Sequence, residues 1–129
     1  MRIALLRALG AATCAYGVAA AYRPGLLARP LGLVHPHGAL VVRPMAWRDA
    51  ATGLAMLVAP EGPALATATA VRIASDVGDA LLFGAALPGR VRRVGAAVSA
   101  LGWAALGVAG LTGSRRTVED RSSGCHGPR

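Results

Sequence analysis

Three charged residues lie close together in an otherwise apolar stretch of this 129-residue chain. They are Arg72, Asp76 and Asp79, within the segment AVRIASDVGDALLF from Ala70 to Phe83. Because positions i, i+4 and i+7 share one face of a helix, the three side chains are expected on the same side. A charge in an apolar helix is costly to expose to lipid, so it marks a protein interior, a pathway or a binding site.

A second charged pair, Arg48 and Asp49, lies in the preceding apolar segment, and Arg7 interrupts the first one. Three arginines then balance three aspartates, which is the neutral pairing that buried ions require. If the middle segments are neighbours, Arg48 or Arg72 can reach across to Asp79 or Asp49. Arg7 lies near a segment end, where it is expected to anchor at the membrane interface or to join the other charges.

Five of these residues form what we call the charge cluster: Arg48, Asp49, Arg72, Asp76 and Asp79. In one interpretation the cluster is a lock that fixes the helices in register, with Arg72 bridged to Asp76. In the other it lines a polar cavity that binds or transforms a molecule. Two carboxylates one turn apart repel each other, which favours a proton on one of them. Asp76 and Asp79 are therefore candidate catalytic residues, with Arg48 or Arg72 to orient a substrate.

The composition is typical of an integral membrane protein. The chain is 54% hydrophobic, 4% aromatic and 16% charged, whereas soluble domains are about 25% charged. Its bulk is Ala, Gly, Leu and Val, and its mean hydropathy is +0.50. Small residues let helix backbones approach closely, which is how helices pack in lipid.

Proline and glycine divide the chain into four apolar segments, which predicts transmembrane helices at about 3–22, 44–59, 64–87 and 94–111. Pro44 is expected in the first turn of the second helix, and Ser99 and the glycines of the fourth are expected to serve helix packing. Short turns at 60–63 and 88–89 make the joined helices antiparallel neighbours. The predicted fold is all-α, an up-down four-helix transmembrane bundle over residues 1–113, with a disordered polar tail at 114–129. A cleaved signal peptide is the alternative for the first segment, although three more apolar segments follow it.

The basic residues lie mostly between the apolar segments. All fourteen are arginine and the net charge is +8, but no basic helix face with interleaved aromatics is present. Contact with anionic lipid headgroups is therefore expected, and nucleic-acid binding is not. By the positive-inside rule, the arginines of the first and third connectors favour a cytoplasmic position for those connectors.

Metal, cofactor and disulfide chemistry are not expected. His35 and His37 flank Pro36 in the first connector and could point the same way, but no nearby Cys or acid completes a metal site. Cys14 lies in an apolar segment and Cys125 in the polar tail, so both are expected to be free thiols. The chain also lacks a nucleophile motif, a phosphate loop and a dinucleotide fingerprint.

The segments RPMAWRDAATGLAM (43–56) and RIASDVGDALLF (72–83) resemble a family of small four-helix membrane proteins that carries a domain of unknown function. The family is common in actinobacteria and occurs in some fungi. Its pattern of Arg-Asp then Gly in one helix, and Arg with two spaced Asp in the next, matches Arg48, Asp49, Gly53, Arg72, Asp76 and Asp79. The resemblance covers about residues 5–111 and implies fold and location, but no activity. The Ala-, Gly- and Arg-rich, Lys-free composition is likewise typical of a GC-rich actinobacterial genome.

Two functions from different classes remain open. The first is a membrane module whose charge cluster binds a lipid-like or polar ligand or a partner helix, with the bilayer and a small lipophilic ligand as partners. The alternative is a membrane-embedded isomerase, cyclase or hydrolase that uses Asp76 and Asp79 as acid and base on a lipophilic substrate. A proton-coupled carrier is disfavoured because four short helices leave little room for alternating access.

Truncation at Ser114 tests the predicted tail. The segment after Gly113 is polar and has no hydrophobic period, so its removal is expected to leave expression and thermal stability in detergent unchanged. A large fall in the unfolding temperature would instead show that the tail docks on the helices.

Overall fold

Five α-helices and no strands make up the part of the chain described by the structure, a computed structural model covering residues 1–33 and 38–113. The all-α prediction is confirmed. The helices are α1 (Ile3–Tyr22), α2 (Gly25–Leu31), α3 (Gly38–Val58), α4 (Pro63–Ala86) and α5 (Arg90–Thr112).

Two helices begin earlier than the sequence pattern predicts. The helix α3 begins at Gly38, so Pro44 lies in the helix interior and not in its first turn. Proline there removes one backbone hydrogen bond, but Val42 in the preceding turn is fully buried, and this packing offsets the loss. The helix α5 begins at Arg90, so the arginines expected in a connector form its first turn. There Arg93 Nε donates a hydrogen bond of 2.7 Å to the Leu87 carbonyl at the end of α4.

The short helix α2 folds back on the long helices. It ends at Gly32, whose φ of 72° is left-handed and whose N–H bonds to the Arg29 carbonyl, an arrangement that favours glycine. Leu31 is buried in a cluster with Phe83 and Leu87. The connector therefore covers one end of the fold. The candidate metal ligands His35 and His37 lie outside the described residues.

Glycine brings the backbones of α1 and α3 into contact. A Cβ atom on Gly17 would lie 2.5 Å from the backbone nitrogen of Ala50, and one on Gly53 would lie 2.5 Å from that of Cys14. Gly10 in turn faces Gly53. Because low residue numbers on α1 face high ones on α3, the two helices run antiparallel. Such small residues are how apolar helices pack closely.

In α5 the glycines have two different surroundings. Gly107 and Gly110 face side chains of α4 and α1, whereas Gly95 and Gly102 face open space. The predicted packing role of the glycines in the fourth helix therefore holds for Gly107 and Gly110, whereas nothing lies within 4 Å of a methyl group added at Gly95 or Gly102.

The packing falls into two close pairs, α1 with α3 and α4 with α5, which meet more lightly through α3 and α4. Large apolar side chains fill one end, where Leu6, Met56 and Leu65 are almost fully buried. The Leu31 cluster under α2 fills the other end. The charge cluster lies between them.

Among the described helices, α1 and α5 are long and apolar enough to cross a membrane, judged by length and composition.

The α1–α3 contact can be tested with matched glycine substitutions. Gly53→Ala inserts a methyl group between two backbones and is expected to cost about 1–3 kcal/mol in unfolding free energy. Gly78→Ala is the control, since nothing lies within 4 Å of the added methyl group, and it is expected to stabilise the helix by about 0.5–1 kcal/mol. Thermal unfolding in detergent measures both. Equal unfolding temperatures would contradict the observed packing.

Candidate functional site

The charge cluster begins with an ion pair inside α4. Arg72 Nε donates a hydrogen bond of 3.1 Å to Asp76 Oδ2, and its Nη2 bonds the other oxygen, Oδ1. Asp76 is 2% exposed. The pairing one helical turn apart, expected from the sequence, is present, and both oxygens of Asp76 are occupied by one arginine.

The same pattern joins α3 to α4. Arg48 donates two nearly parallel hydrogen bonds to Asp79, 3.0 Å to Oδ1 and 2.6 Å to Oδ2. Its Nη2 also lies 2.9 Å from Asp49 Oδ1, and Arg72 Nη1 lies 2.8 Å from that same oxygen. The five side chains therefore form one chain of alternating charge that runs Asp79, Arg48, Asp49, Arg72, Asp76.

Arg7 is not part of this chain. Its guanidinium donates to the carbonyls of Met56, Leu57 and Ala59, with bonds of 2.8 Å to the first and last. These carbonyls lie at the C-terminal end of α3, where a cation compensates the helix dipole. The expected interfacial anchor is thus a cap on a neighbouring helix, because a buried helix end needs donors for its last carbonyls. Without Arg7 the charge cluster has a formal charge of −1.

A cavity of about 550 Å³ opens beside the charge cluster. Its size is typical of small-molecule sites. The polar residues of its lining are Thr13, Tyr16, Asp49, Arg72, Asp76, Asp79, Arg92 and Ser99. The remaining lining is mostly apolar and includes Leu27, Leu31, Met45, Phe83 and Trp103. Arg48 does not line the cavity.

Three hydroxyl groups of the cavity lining, those of Thr13, Tyr16 and Ser99, have no hydrogen bond to a described residue. Serine and threonine in helices commonly bond to a carbonyl of their own helix, and the ones that do so here are Thr52, Thr67, Thr69, Ser75 and Thr112. Thr13 and Ser99 line the cavity from α1 and α5, and neither hydroxyl has a hydrogen bond to any described residue. Thr13 is nevertheless more than nine-tenths buried, at 8% exposure.

One buried donor of the charge cluster is also unsatisfied. Arg72 Nη1 is near enough to Asp49 Oδ1 for an ion pair, but it makes no hydrogen bond within the described structure. The two facts agree if the N–H bonds point away from the carboxylate oxygen, since hydrogen bonds weaken steeply off axis. The hydrogen bonds that reach Asp49 from described side chains end on Oδ1, which leaves its Oδ2 open. The Asp49 Oδ2 acceptor therefore remains for a ligand, whereas Arg72 Nη1 is buried away from the cavity.

Several lining residues are not found by the sequence analysis. Thr13 and Tyr16 are polar positions in the apolar α1, and Trp103 is the only aromatic residue of α5. These residue types are unusual in such apolar helices, and they are the signal in the sequence that points to the cavity. Ser99 is expected to pack between helices but is exposed on the cavity wall, and Arg92 lines the cavity from the first turn of α5. No three His, Cys, Asp or Glu side chains of the described residues form a site that could hold a metal ion.

Comparison of the chain with protein families, curated proteins and solved structures finds no match. The charge cluster and its cavity are therefore the observations from which a function is inferred.

Neutralising the two α4 aspartates separates their structural roles. Asp76→Asn leaves Arg72, whose side chain is 12% exposed, without its two-point partner, so a loss of about 3–5 kcal/mol is expected. Asp79→Asn leaves Arg48 paired with Asp49 and 36% exposed, so the loss should be smaller. Thermal unfolding in detergent shows which of the two variants loses more stability.

The double variant Arg72→Gln with Asp76→Asn controls for the unpaired charge, and it should recover part of the stability that Asp76→Asn loses. Equal losses for the two aspartate variants would show that burial does not set the strength of these pairs.

Proposed function

We propose that this chain is a multi-pass membrane protein whose four long helices form an up-down bundle around a binding site for a lipophilic molecule with a polar end. The observation that carries the proposal is the cavity of about 550 Å³, whose lining is mostly apolar but includes several charged and polar groups. Binding sites combine a mostly apolar lining with a few convergent polar groups that orient the ligand.

The distribution of side chains supports a bilayer environment. Aspartates of the charge cluster lie inside, whereas large aliphatic side chains are exposed on α3, α4 and α5, including Leu40, Leu54, Leu81, Leu82 and Val98. Soluble proteins rarely expose large apolar surfaces, and charges at bilayer depth face the protein interior. Together with the two helices that meet the length and composition of a membrane span, this pattern favours four spans.

Arginines support an orientation for these spans. Six lie in the α1–α3 connector, the second turn of α3 and the first turn of α5, near one end of the helices: Arg23, Arg29, Arg43, Arg90, Arg92 and Arg93. By the positive-inside rule this end faces the cytoplasm. We place the protein in a bacterial cell membrane, and the composition and the family resemblance favour an actinobacterial source.

The geometry favours binding over acid–base catalysis. A general base needs a lone pair that faces the substrate. Both oxygens of Asp76 and both oxygens of Asp79 accept a hydrogen bond from arginine, which leaves one lone pair on each oxygen. Proton transfer at these residues would compete with the ion pairs that join the helices, whereas binding leaves the ion pairs intact.

A partner helix is the other alternative occupant. The cavity lining includes residues of α1, α2, α3, α4 and α5, and the cavity is partly open at the surface. Its volume of about 550 Å³ lies within the range of small-molecule sites.

Photolabelling tests the proposed site. A trifluoromethyl-phenyl-diazirine with a hydroxymethyl group is activated in lipid nanodiscs that contain the protein, and mass spectrometry locates the label. We expect saturable labelling of cavity-lining residues on α1 and α5. Ala100→Phe fills the cavity and should abolish most of this labelling. Val98→Phe, on the exposed face of the same helix, should leave the labelling unchanged.

Unsaturable labelling spread over all exposed apolar faces, unchanged by Ala100→Phe, would contradict a binding site in this cavity.

A further inference from the structure

We infer that the ligand is a protonated amine on a lipophilic body, and that its ammonium group lies at Asp49 and Thr13 in the cavity. The inference rests on the proposed binding function and adds the chemical class of the ligand to it.

The charge cluster holds one carboxylate more than its arginines pair at two points. Arg72 holds both oxygens of Asp76, and Arg48 holds both oxygens of Asp79. Asp49 has only its Oδ1 atom in contact with these two arginines. The surplus negative charge of the cluster therefore lies at Asp49, whose side chain is 14% exposed.

No other arginine of the described residues pairs with the charge cluster. Arg7 caps the end of α3. Arg92 lines the cavity, but its guanidinium lies against Gly32 at the end of α2. A buried ion without a counter-ion is strongly penalised, so the cavity favours a ligand that brings one positive charge.

The unbonded atoms that a ligand can reach are acceptors. Among the less exposed side chains that the structure describes, Arg72 Nη1 is the one unbonded nitrogen or oxygen that is fully enclosed. Asp49 Oδ2 and the Thr13 hydroxyl are also unbonded, so both are open to the cavity that they line. An ammonium group has only donors and carries the missing charge. A carboxylate would add to the surplus charge, and an alcohol would donate without compensating it.

Thr13 is an observation independent of the charges. It is more than nine-tenths buried and lines the cavity, but its hydroxyl has no hydrogen bond to a described residue. A buried hydroxyl without a partner is costly, and a donor on the ligand removes the cost. The rest of the ligand then lies against the apolar lining, where Leu31, Phe83 and Trp103 suit a hydrocarbon body.

Thr13 and Asp49 lie where the backbones of α1 and α3 are in contact. Thr13 is one helical turn from Gly10 and Gly17, and Asp49 is one turn from Gly53, so both share the faces on which these glycines bring the helices together. Because both residues also line the cavity, the proposed ammonium group donates to both.

The experiment compares three photoprobes that differ only in the headgroup. The trifluoromethyl-phenyl-diazirine carries an aminomethyl, a hydroxymethyl or a carboxyl group. Each probe is titrated at neutral pH into nanodiscs of zwitterionic lipid, so that lipid charge does not concentrate the amine. Mass spectrometry gives the concentration that half-saturates labelling of cavity-lining residues on α1 and α5. The same titration on an Ala100→Phe background measures labelling by probe dissolved in the bilayer.

We expect the amine to half-saturate labelling at a concentration about tenfold or more below that of the alcohol or the acid, because hydrogen bonds to a charged group are the stronger ones. Thr13→Val should weaken amine binding about two- to tenfold. Thr69→Val is the matched control, since Thr69 is also buried but donates to the Leu65 carbonyl and does not line the cavity, so it should leave binding unchanged.

Asp49→Asn tests the surplus charge directly. It leaves both two-point ion pairs, Arg72 with Asp76 and Arg48 with Asp79, so the variant is expected to fold. The preference for the amine over the alcohol should then fall to about twofold or less, because the cluster no longer has a net charge. If Asp49→Asn does not fold, Thr13→Val and the comparison of headgroups still decide the inference.

The outcomes separate this inference from the function on which it rests. The ammonium assignment is wrong and the binding site stands if the alcohol or the acid binds as tightly as the amine, or if Thr13→Val has no more effect than Thr69→Val. The same conclusion follows if folded Asp49→Asn keeps the full preference for the amine. If none of the three probes labels the cavity saturably, both the ligand class and the proposed binding function are refuted.

Discussion

The pairing of buried charges is the constraint on which the rest of this structure depends. An ion taken out of water must find a counter-ion and hydrogen bonds, or the helix that carries it is not stable where it lies. Here the alternating chain from Asp79 to Asp76 meets that need with two helices alone. Because α3 belongs to one close pair and α4 to the other, the same ion pairs join the two halves of the fold.

The cavity follows from the sizes of the side chains. Gly17 and Gly53 draw α1 and α3 into backbone contact, and large residues such as Met56 fill one end of the fold. Between the ends, the residues of α5 that face the charge cluster include Gly95 and Ser99, which are too small to reach across. The space that remains is lined by charged groups and by hydrocarbon.

In the proposed function, the lock and the site are different parts of one cluster. Arg48 and Asp79 hold each other at two points between helices, and Arg48 does not line the cavity. Asp49 and Arg72 share a single oxygen contact, and both residues line the cavity. If the proposal is correct, the stability of the fold and the recognition of a ligand can be changed by different substitutions.

The sequence left open which arginine reaches Asp79 and Asp49, but it determined the helical class, the limits of α1 and the pairing of Arg72 with Asp76. It did so because a charged residue in an apolar segment has few neighbours of opposite sign, and one of them is a helical turn away. Periodicity did not determine where α3 begins, since proline usually marks a first turn, whereas here the helix continues six residues before Pro44 and buries Val42 there.

Only the tertiary structure decided the role of Arg7 and the existence of the cavity. Arg7 contacts backbone carbonyls more than forty positions away in the chain, and any helix end presents the same carbonyls whatever its side chains are. Thr13 and Ser99 are ordinary helix residues in the sequence, and their hydroxyls are distinguished only by the absence of a bond to the described chain. A residue pattern records which atoms are present, whereas the space between helices depends on how closely they approach, and that is decided by packing.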